Sequence, residues 1–367
     1  MDRVKVAHCL GQLNTGGAET LVMNIFRHID RSKYQFDFLL FNDEKGFYDE
    51  EAKSLGANLF YVPSMRKIGI FKYIKQMIIF FRNNDIDIVH SHMDWQGGFI
   101  AYAAHKAGIK KIVVHSHANQ KMFESNIIYK IMISINKYLI KKYATDCVAC
   151  SKEAGESLFK KDFDVLINGI DLDKFLNPNQ EVIEKLKNEF QIKDTDTILG
   201  NVGSLSENKN QSFLIELLYE LNKKNKNYKL ILVGNGSMKS ELIHLANQLE
   251  IHEQVIFAGV RKEIPEIMSL FDIFLFPSKK EGLGIVAIEA QTSGLNCIVS
   301  DSIPKQCDMG LSLVYRKPLV IKEWVDSILS LKKEKVLVDR NKLLNSNFNI
   351  ERNCEQLEKI YRKGENR

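Results

Sequence analysis

The stretch FLFPSKKEGLGIVAIEAQ, residues 274–291, decides the fold class of this chain. Its opening apolar run, which ends at Phe276, predicts a buried strand of a parallel sheet. Pro277 stops that strand, and a helical rhythm of apolar residues begins at Ile285. Glu281 therefore lies on a strand-to-helix turn, at the carboxyl end of a strand, which is where open α/β sheets bind ligands.

The turn itself has the residues that an anion site needs. Gly282 and Gly284 let the backbone approach a ligand closely. The free amides of Leu283 and Gly284, at the start of the helix, favour an anion such as a diphosphate. Glu289 follows Glu281 by eight residues and falls in the first turns of the helix.

This stretch resembles the signature of the retaining glycosyltransferases of family 4, P-S-x-x-E-G-x-G-x-x-x-x-E-A. The resemblance implies the GT-B fold, an α/β architecture of two Rossmann-like domains with parallel sheets facing across a cleft. It also implies that the donor is a nucleotide-diphosphate sugar, in which the sugar is linked to UDP or GDP. Glu281 would then bind the sugar hydroxyls and offset positive charge, and Glu289 would bind the ribose. Two solvated acids near a helix start are the plain alternative.

The rest of the chain alternates short apolar runs with helical patterns, which predicts βαβ units. With 367 residues, 45% hydrophobic and 26% charged, the chain is long enough for about two domains. The resemblance implies an acceptor-binding domain over residues 1–163 and a nucleotide-sugar-binding domain over residues 164–345. A C-terminal helix in residues 346–367 would pack back on the first domain.

The totals exclude several classes of protein. A net charge of +5 suits an anionic small substrate or an anionic lipid surface and is too small to indicate nucleic acid. The sequence shows no apolar signal region and no run of about 18 consecutive apolar residues. We therefore expect a cytoplasmic protein.

A second glycine turn follows the first predicted strand, at Gly16 and Gly17. Glycines at a strand-loop-helix junction can lie flat against a ligand. The run is not the G-x-G-x-x-G of a nicotinamide site, which argues against a dehydrogenase. It resembles the N-terminal glycine loop of the same family, and a plain tight turn is the alternative.

Two predicted strands end in histidine pairs, His90-Ser-His92 and His115-Ser-His117. Positions two apart on a strand share a face, so each pair can present both rings together. By resemblance His117 is the functional histidine, His115 fits that role less well, and His90 suits a polar strand end near solvent. A metal site built from the four rings is the rival, but the family needs no metal and we expect none.

The loop from Gly203 to Lys209 resembles the family's G-R-x-x-x-x-K-N loop, in which the arginine and the lysine bind the diphosphate. Lys209 keeps the lysine, but Ser204 stands where the family has arginine. Gly234, in the turn after another predicted strand, also matches the family. Without the arginine, the usual clamp of two cations on the diphosphate is incomplete. This departure puts full activity in doubt.

Two further patterns have competing interpretations. Cys147 and Cys150 have redox or zinc spacing but lie in an apolar, strand-like segment without a second pair, so buried free thiols are expected. The predicted helix over residues 126–143 has only lysines as charges, among them Lys130, Lys137 and Lys141. This face is either ordinarily solvated or rests on the anionic inner face of the cell membrane.

Together these observations predict a retaining hexosyl- or N-acetylhexosaminyltransferase. The resemblance is to the subgroup that builds capsular or exopolysaccharide, which implies a lipid-linked or oligosaccharide acceptor. A GT-B sugar-nucleotide epimerase is the alternative among enzymes. From another class, a catalytically silent subunit that activates a partner transferase remains open, because Ser204 removes a cation.

Overall fold

The computed structural model describes residues 3–118, 127–224, 227–331 and 335–363. The chain divides into two compact units. Unit 1 comprises Met1–Ile170 and Asn347–Arg367, and unit 2 comprises Asp171–Ser346. Each unit has its own sheet and its own hydrophobic core.

Unit 1 is built on a parallel sheet, in which the described strands have the order β3-β2-β1-β4-β5-β6-β7. The strands are β1 (Val4–Leu10), β2 (Tyr34–Leu40), β3 (Leu59–Tyr61), β4 (Ile88–Ser91), β5 (Lys111–Ser116), β6 (Asp146–Ala149) and β7 (Asp164–Val165). The helices that connect them are α1 (Gly17–His28), α2 (Asp49–Ser54), α3 (Met65–Ile68), α4 (Ile70–Asn83), α5 (Gly97–Ala107), α6 (Ile127–Tyr143) and α7 (Lys152–Leu158).

Both faces of this sheet are covered, which explains why its central strands are buried along most of their length. Alternate residues of β1 point to opposite faces. Val6 and Leu10 pack into a core with α1, whereas Ala7 and Cys9 pack into a second core with α4 and α5. The even-numbered positions of β1 therefore face the α1 side, and His8 is one of them.

Unit 2 repeats the arrangement with described strands in the order β10-β9-β8-β11-β12-β13, also parallel. Its strands are β8 (Thr197–Val202), β9 (Tyr228–Val233), β10 (Val255–Gly259), β11 (Ile273–Phe276), β12 (Asn296–Ser300) and β13 (Val314–Lys317). Its helices are α8 (Leu172–Leu176), α9 (Gln180–Glu189), α10 (Gln211–Asn222), α11 (Lys239–Gln248), α12 (Ile264–Ser269), α13 (Ile285–Thr292), α14 (Ile321–Ser330) and α15 (Arg340–Leu344).

The last helix, α16 (Ile350–Arg362), belongs to unit 1. Asn349 caps its start by accepting a hydrogen bond from the amide of Glu351 at 3.0 Å. Leu357 and Tyr361 are buried on the α1 side of the unit 1 sheet, in the core that also contains Val6. Burial of this apolar stripe ties the end of the chain to unit 1.

The boundary between the units differs from the expected position after residue 163. β7 pairs with β6 in parallel at the edge of the unit 1 sheet, so residues 164–170 belong to unit 1 and the division falls between Ile170 and Asp171. Asn168 lies inside unit 1, where its side chain donates to the carbonyl of Gly17 at 3.1 Å. A two-residue edge strand has too little apolar pattern to be recognised in the sequence.

The two-unit α/β architecture is as predicted, and β11 ends at Phe276, as predicted. Helix α6 is described from Ile127 to Tyr143. The predicted first residue of this helix, Asn126, lies outside the described residues. Among the described residues no helix is both long enough and apolar enough to cross a membrane.

Candidate active site

The candidate site in unit 2 lies at the carboxyl ends of β8 and β11, which pair directly in the sheet. The loops that follow these two strands are tied together by backbone and side-chain hydrogen bonds. Asn208 donates from its side chain to the carbonyl of Lys280 at 2.8 Å, and its own carbonyl accepts from the amide of Lys279 at 2.8 Å. The pairing of two strands thus brings Lys209 and Glu281 together, although they are 72 residues apart.

Lys209 and Glu281 form an ion pair, with Nζ 2.6 Å from Oε1. Their side chains are 20% and 13% exposed, so the pair is shielded from water on most sides. The Lys209 ammonium also lies over the ring of Phe276, 5.3 Å from its centroid. An ammonium has three N–H donors, and within the described residues only Glu281 accepts one, so donors remain for an anion.

Glu289 lies in the middle of α13 and is partly exposed. Burial raises the pKa of its carboxyl group to about 7. Within the described residues this carboxyl group has no hydrogen-bond partner. A carboxylate with free acceptor positions can bind vicinal hydroxyls, the contact that acids make to a ribose in other nucleotide folds.

The glycine turn before α13 has the expected geometry with one correction. Gly284 caps the helix with φ of 81°, in the left-handed region that favours glycine. Because α13 begins at Ile285, the amides of Leu283 and Gly284 precede its first turn instead of forming it. In the described part of the chain neither amide has an acceptor, so both remain available to an anion, as does the exposed turn at Gly282.

The loop after β8 places Gly203 beside Gly234. A Cβ at Gly234, whose φ is 133°, would collide with the carbonyl oxygen of Gly203. Ser204 is exposed at the surface of this loop and supplies no cation. Lys279 pairs with Glu207 at 3.3 Å, whereas exposed Lys280 has no ion-pair partner among the residues described. Of these two lysines, Lys280 therefore has the charge that is left unpaired and could replace that of the absent arginine.

In unit 1, Gly16 and Gly17 lie at the amino end of α1, as predicted. Gly16 is the N-cap residue, and the Glu19 carboxylate folds back against it where a Cβ would otherwise lie. Burial of Glu19, together with the nearby charge of Asp94, raises the pKa of the Glu19 carboxyl group. The turn thus keeps an acid at the helix start, where the helix dipole favours negative charge.

His117 belongs to a cluster of five histidines on the α1 side of the unit 1 sheet. His115 and His117 stack with centroids 4.1 Å apart, and His90 and His92 stack at 4.2 Å, so each predicted pair shares a face. The fifth member, His8, lies opposite His90 in the strand register. Burial lowers the pKa of His8 and of His117 to about 3, and those of the other three in the same direction.

The expectation that His90 lies near solvent is wrong. Its side chain is 1% exposed, and its Nδ1 is 2.8 Å from the hydroxyl oxygen of Tyr361 on α16. The sequence did not indicate this contact because it joins positions 271 residues apart. The sequence did not indicate a role for His8 either, because a single histidine in an apolar strand forms no recognisable motif.

Two triads of this cluster, His8-His90-His92 and His92-His115-His117, have one ring nitrogen each within 4.8 Å of the others. Ligand nitrogens of a tetrahedral zinc site lie about 3.3 Å apart, given zinc–nitrogen bonds of about 2.0–2.1 Å. The closest nitrogens here are only 2.9 and 3.0 Å apart, which is hydrogen-bonding distance. The spacing fits rings bonded to one another better than rings arranged around an ion.

Asp94 is a structural partner of His117 that the sequence did not reveal. Its Oδ1 accepts hydrogen bonds from the amides of His117 at 2.7 Å and Ala118 at 3.3 Å. Asp94 itself has φ of 47°, an uncommon backbone conformation for a residue with a side chain. A strained residue that holds the segment after β5 is consistent with a functional site there.

The remaining expectations concern the cysteines and the lysine-bearing helix. Cys147 and Cys150 are buried free thiols, and burial raises the pKa of each to about 12. Lys130 and Lys141 are exposed on α6, and Lys137 is partly buried. The unexpected feature of α6 is a set of exposed apolar side chains, namely Ile127, Ile131, Ile135 and Tyr138.

Both units of this chain are similar to known protein families. Residues 15–174 match the family model described as Glycosyltransferase Family 4, and residues 182–335 match the model described as Glycosyl transferases group 1. The putative glycosyltransferase EpsF of Bacillus subtilis (strain 168) is 38% identical over 88% of this chain and 86% of its own length.

Two other relatives extend over nearly the full chain. The capsular polysaccharide biosynthesis glycosyltransferase CapH of Staphylococcus aureus is 26% identical over 98% of both chains. The UDP-Gal:alpha-D-GlcNAc-diphosphoundecaprenol alpha-1,3-galactosyltransferase of Escherichia coli is 26% identical over 98% of this chain and 97% of its own.

Among solved structures, Anabaena Alr3699/HepE in complex with UDP-glucose superposes with a TM-score of 0.71 at 17% identity, covering 98% of each chain. At that identity the likeness bears on the fold, which is the two-domain GT-B fold. The relatives and family models, taken with the site residues, establish that this chain belongs to the GT-B glycosyltransferases of the capsular and exopolysaccharide type.

Proposed function

We propose that this protein is a retaining glycosyltransferase that moves a hexosyl or N-acetylhexosaminyl group from a UDP- or GDP-linked sugar to a lipid-linked saccharide. The ion pair between Lys209 and Glu281 carries this proposal. It places a cation suited to a diphosphate beside a carboxylate suited to sugar hydroxyls, at the carboxyl edge of a parallel sheet.

The relatives support the two substrates. The name of the Escherichia coli relative specifies a UDP-sugar donor and a diphosphoundecaprenol-linked acceptor. The Anabaena fold neighbour was crystallised with UDP-glucose. Among the described residues, nothing donates to the Glu289 carboxylate, which leaves its oxygens for a ribose, and the amides of Leu283 and Gly284 have no acceptor.

The proposed chemistry breaks the bond between the anomeric carbon and the diphosphate oxygen and forms one to the acceptor hydroxyl oxygen. Lys209 and the two free amides offset the charge that develops on the departing diphosphate. Glu281 holds sugar hydroxyls and offsets the positive charge of the oxocarbenium-like transition state. The acceptor proton passes to the departing phosphate on the same face of the sugar, so configuration is retained, and His117 binds the donor sugar.

Donor binding is tested with a thermal-shift panel of UDP- and GDP-linked sugars. A donor at about 100 times its dissociation constant adds about 2.7 kcal/mol to the stability of the folded state. We expect one nucleotide series to raise Tm and the Lys209→Ala variant to lose that response. A panel without any response, at concentrations up to millimolar, contradicts the proposed donor class.

We further propose that unit 1 rests on an anionic membrane surface through α6. Ile127, Ile131, Ile135 and Tyr138 fall within about 80° of one another at 3.6 residues per turn, on the side away from buried Ile133. The exposed lysines Lys130 and Lys141 lie together along one edge of this apolar stripe, and an apolar stripe bordered by basic residues is the pattern of a helix lying in a lipid interface.

Ser204 favours a second candidate, a catalytically silent subunit that activates a partner transferase. One cation beside one carboxylate leaves the Lys209–Glu281 pair neutral, which weakens its hold on a diphosphate. Release of free sugar from the donor by the purified chain separates the two candidates. Hydrolysis that is lost in Glu281→Gln supports the enzyme, whereas donor binding without any turnover supports the silent subunit.

A further inference from the structure

The five clustered histidines include a chain of three rings that are hydrogen-bonded in sequence. His8 Nδ1 lies 3.0 Å from His92 Nε2, and His92 Nδ1 lies 2.9 Å from His117 Nε2. Both nitrogens of the middle ring are therefore used. The outer nitrogens, His8 Nε2 and His117 Nδ1, are buried and have no partner among the described residues.

Burial keeps these rings neutral, since the pKa of His8 and of His117 is lowered to about 3. A neutral imidazole has one N–H donor and one lone pair. Each of the two ring-to-ring bonds needs a donor on one side and a lone pair on the other. Only two proton arrangements satisfy both bonds: either all three rings have their proton on Nδ1, or all three have it on Nε2.

The two arrangements give His117 opposite properties at its remaining nitrogen. With the proton on Nδ1 throughout, His117 Nδ1 is a hydrogen-bond donor. With the proton on Nε2 throughout, the same atom is an acceptor. A mixed arrangement sets two donors or two lone pairs against each other at 2.9 or 3.0 Å and breaks a buried hydrogen bond.

We propose that His8 and His92 are positioning residues that set the tautomer of His117, so that this ring meets the donor sugar with one defined donor or acceptor. The proposal rests on the proposed function only for the role of His117. The coupling among the three rings stands on their geometry. His8 acts through His92 and, among the described ring contacts, has none with His117.

Ring tautomers are read from long-range proton–nitrogen correlation spectra of the full chain labelled with ¹⁵N in its histidines. We expect His8, His92 and His117 to share one tautomer, either all Nδ1–H or all Nε2–H. In His92→Phe, which keeps a ring but removes both bonds, His117 should change to a mixture of tautomers. The matched control is His90→Phe, which replaces another buried histidine ring that takes no part in the two ring-to-ring hydrogen bonds. This variant should leave the His117 spectrum unchanged.

Kinetics complete the test. We expect His92→Phe to lower kcat by about tenfold, which corresponds to about 1.4 kcal/mol, with a smaller change in KM, while His90→Phe stays within about twofold. Different tautomers within the wild-type chain, or an unchanged His117 spectrum in His92→Phe, overturn the proposal. So does stoichiometric zinc in the purified protein that holds these rings as ligands. Full activity in His117→Phe, by contrast, refutes the proposed role of His117 and leaves the ring coupling to be judged by the spectra.

Discussion

In the proposed function, Lys209 is the residue on which binding of the donor diphosphate depends most, because Ser204 provides no second cation. A charge-assisted hydrogen bond contributes about 1.5–3 kcal/mol. We predict that Lys209→Ala lowers kcat/KM by at least about 100-fold, or about 2.7 kcal/mol. The change in kcat/KM is measured by steady-state kinetics, with the donor that the thermal-shift panel identifies.

The control for Lys209→Ala is Lys224→Ala, which removes an exposed lysine of unit 2 outside the two site loops. This variant should keep wild-type kinetics. Ser204→Arg should tighten donor binding if the space that the family arginine fills is open. A Lys209→Ala enzyme that retains more than half of its activity means that other groups, Lys280 first among them, hold the diphosphate.

Glu289 makes the stability of the protein depend on pH. Its pKa is raised to about 7 in the folded protein from an ordinary value of 4.5, so the folded state binds a proton more tightly than the unfolded state does. Wild type should therefore lose stability, relative to Glu289→Gln, as pH rises from about 4.5 to 7. The loss should reach roughly 2–3 kcal/mol, allowing for partial exposure.

Thermal unfolding of both proteins from pH 4.5 to 8.5 measures this difference. The advantage of Glu289→Gln in Tm should grow through the window and level off above about pH 7. Glu241→Gln, which changes an exposed acid on α11, serves as the control and should show no such trend. A constant difference between Glu289→Gln and wild type at all pH values contradicts the raised pKa.

At the scale of single residues, the sequence revealed the groups that lie in motifs and missed those that act through distant contacts. Lys209 and Glu281 lie on two adjoining loops and Glu289 lies in the helix that follows Glu281, and all three belong to stretches that the motifs singled out. The hydrogen bonds of His90 with Tyr361 and of Asp94 with the His117 amide join separate segments of the chain. No local spacing encodes such contacts.

At the scale of elements, α6 shows why the pattern of charges alone was insufficient. The lysines of this helix are compatible with either water or a lipid surface around it. The structure adds an observation that periodicity did not give, since Ile127 is 69% exposed whereas Ile133 is buried on the opposite side of the helix. An outward apolar stripe next to lysines favours the lipid surface over an ordinary solvated face.

We predict that α6 mediates sedimentation with anionic vesicles. Changing Lys130, Lys137 and Lys141 to glutamate should abolish most binding, because each lysine near such a surface contributes about 1 kcal/mol. Changing Ile127, Ile131 and Ile135 to glutamine should also weaken binding, and this loss should persist in high salt.

The matched control replaces the exposed lysines Lys185, Lys193 and Lys224 of unit 2 with glutamate, which alters net charge by the same amount. It should sediment as wild type does. If the α6 glutamate variant and wild type sediment equally, α6 is not the membrane surface.

At the scale of the whole molecule, alternating periodicity was sufficient for two parallel α/β units because both faces of each sheet are covered by helices. The boundary at Ile170 was not predictable, since β7 is a two-residue strand whose only signal is its pairing with β6. The histidine cluster likewise needed three strands to be assembled before its five rings could be seen together.

We predict that sugar transfer does not depend on a metal ion. The proposed charge stabilisation comes from Lys209 and backbone amides, and the histidine nitrogens lie at hydrogen-bonding distances from one another. Activity should be unchanged after dialysis against excess chelator. Activity that disappears on chelation and returns with zinc or manganese assigns the histidine cluster to an ion.

The central claim is that the chain transfers a sugar with retention of configuration. The most direct test is to incubate the purified protein with the nucleotide sugar that it binds and a polyprenyl-diphosphate-linked saccharide, and to read the anomeric proton of the product by NMR. With an α-linked nucleotide sugar as the donor, we predict an α-glycosidic product that is absent with Glu281→Gln. A β-linked product, or a bound donor that is never transferred to any acceptor of this class, would contradict it.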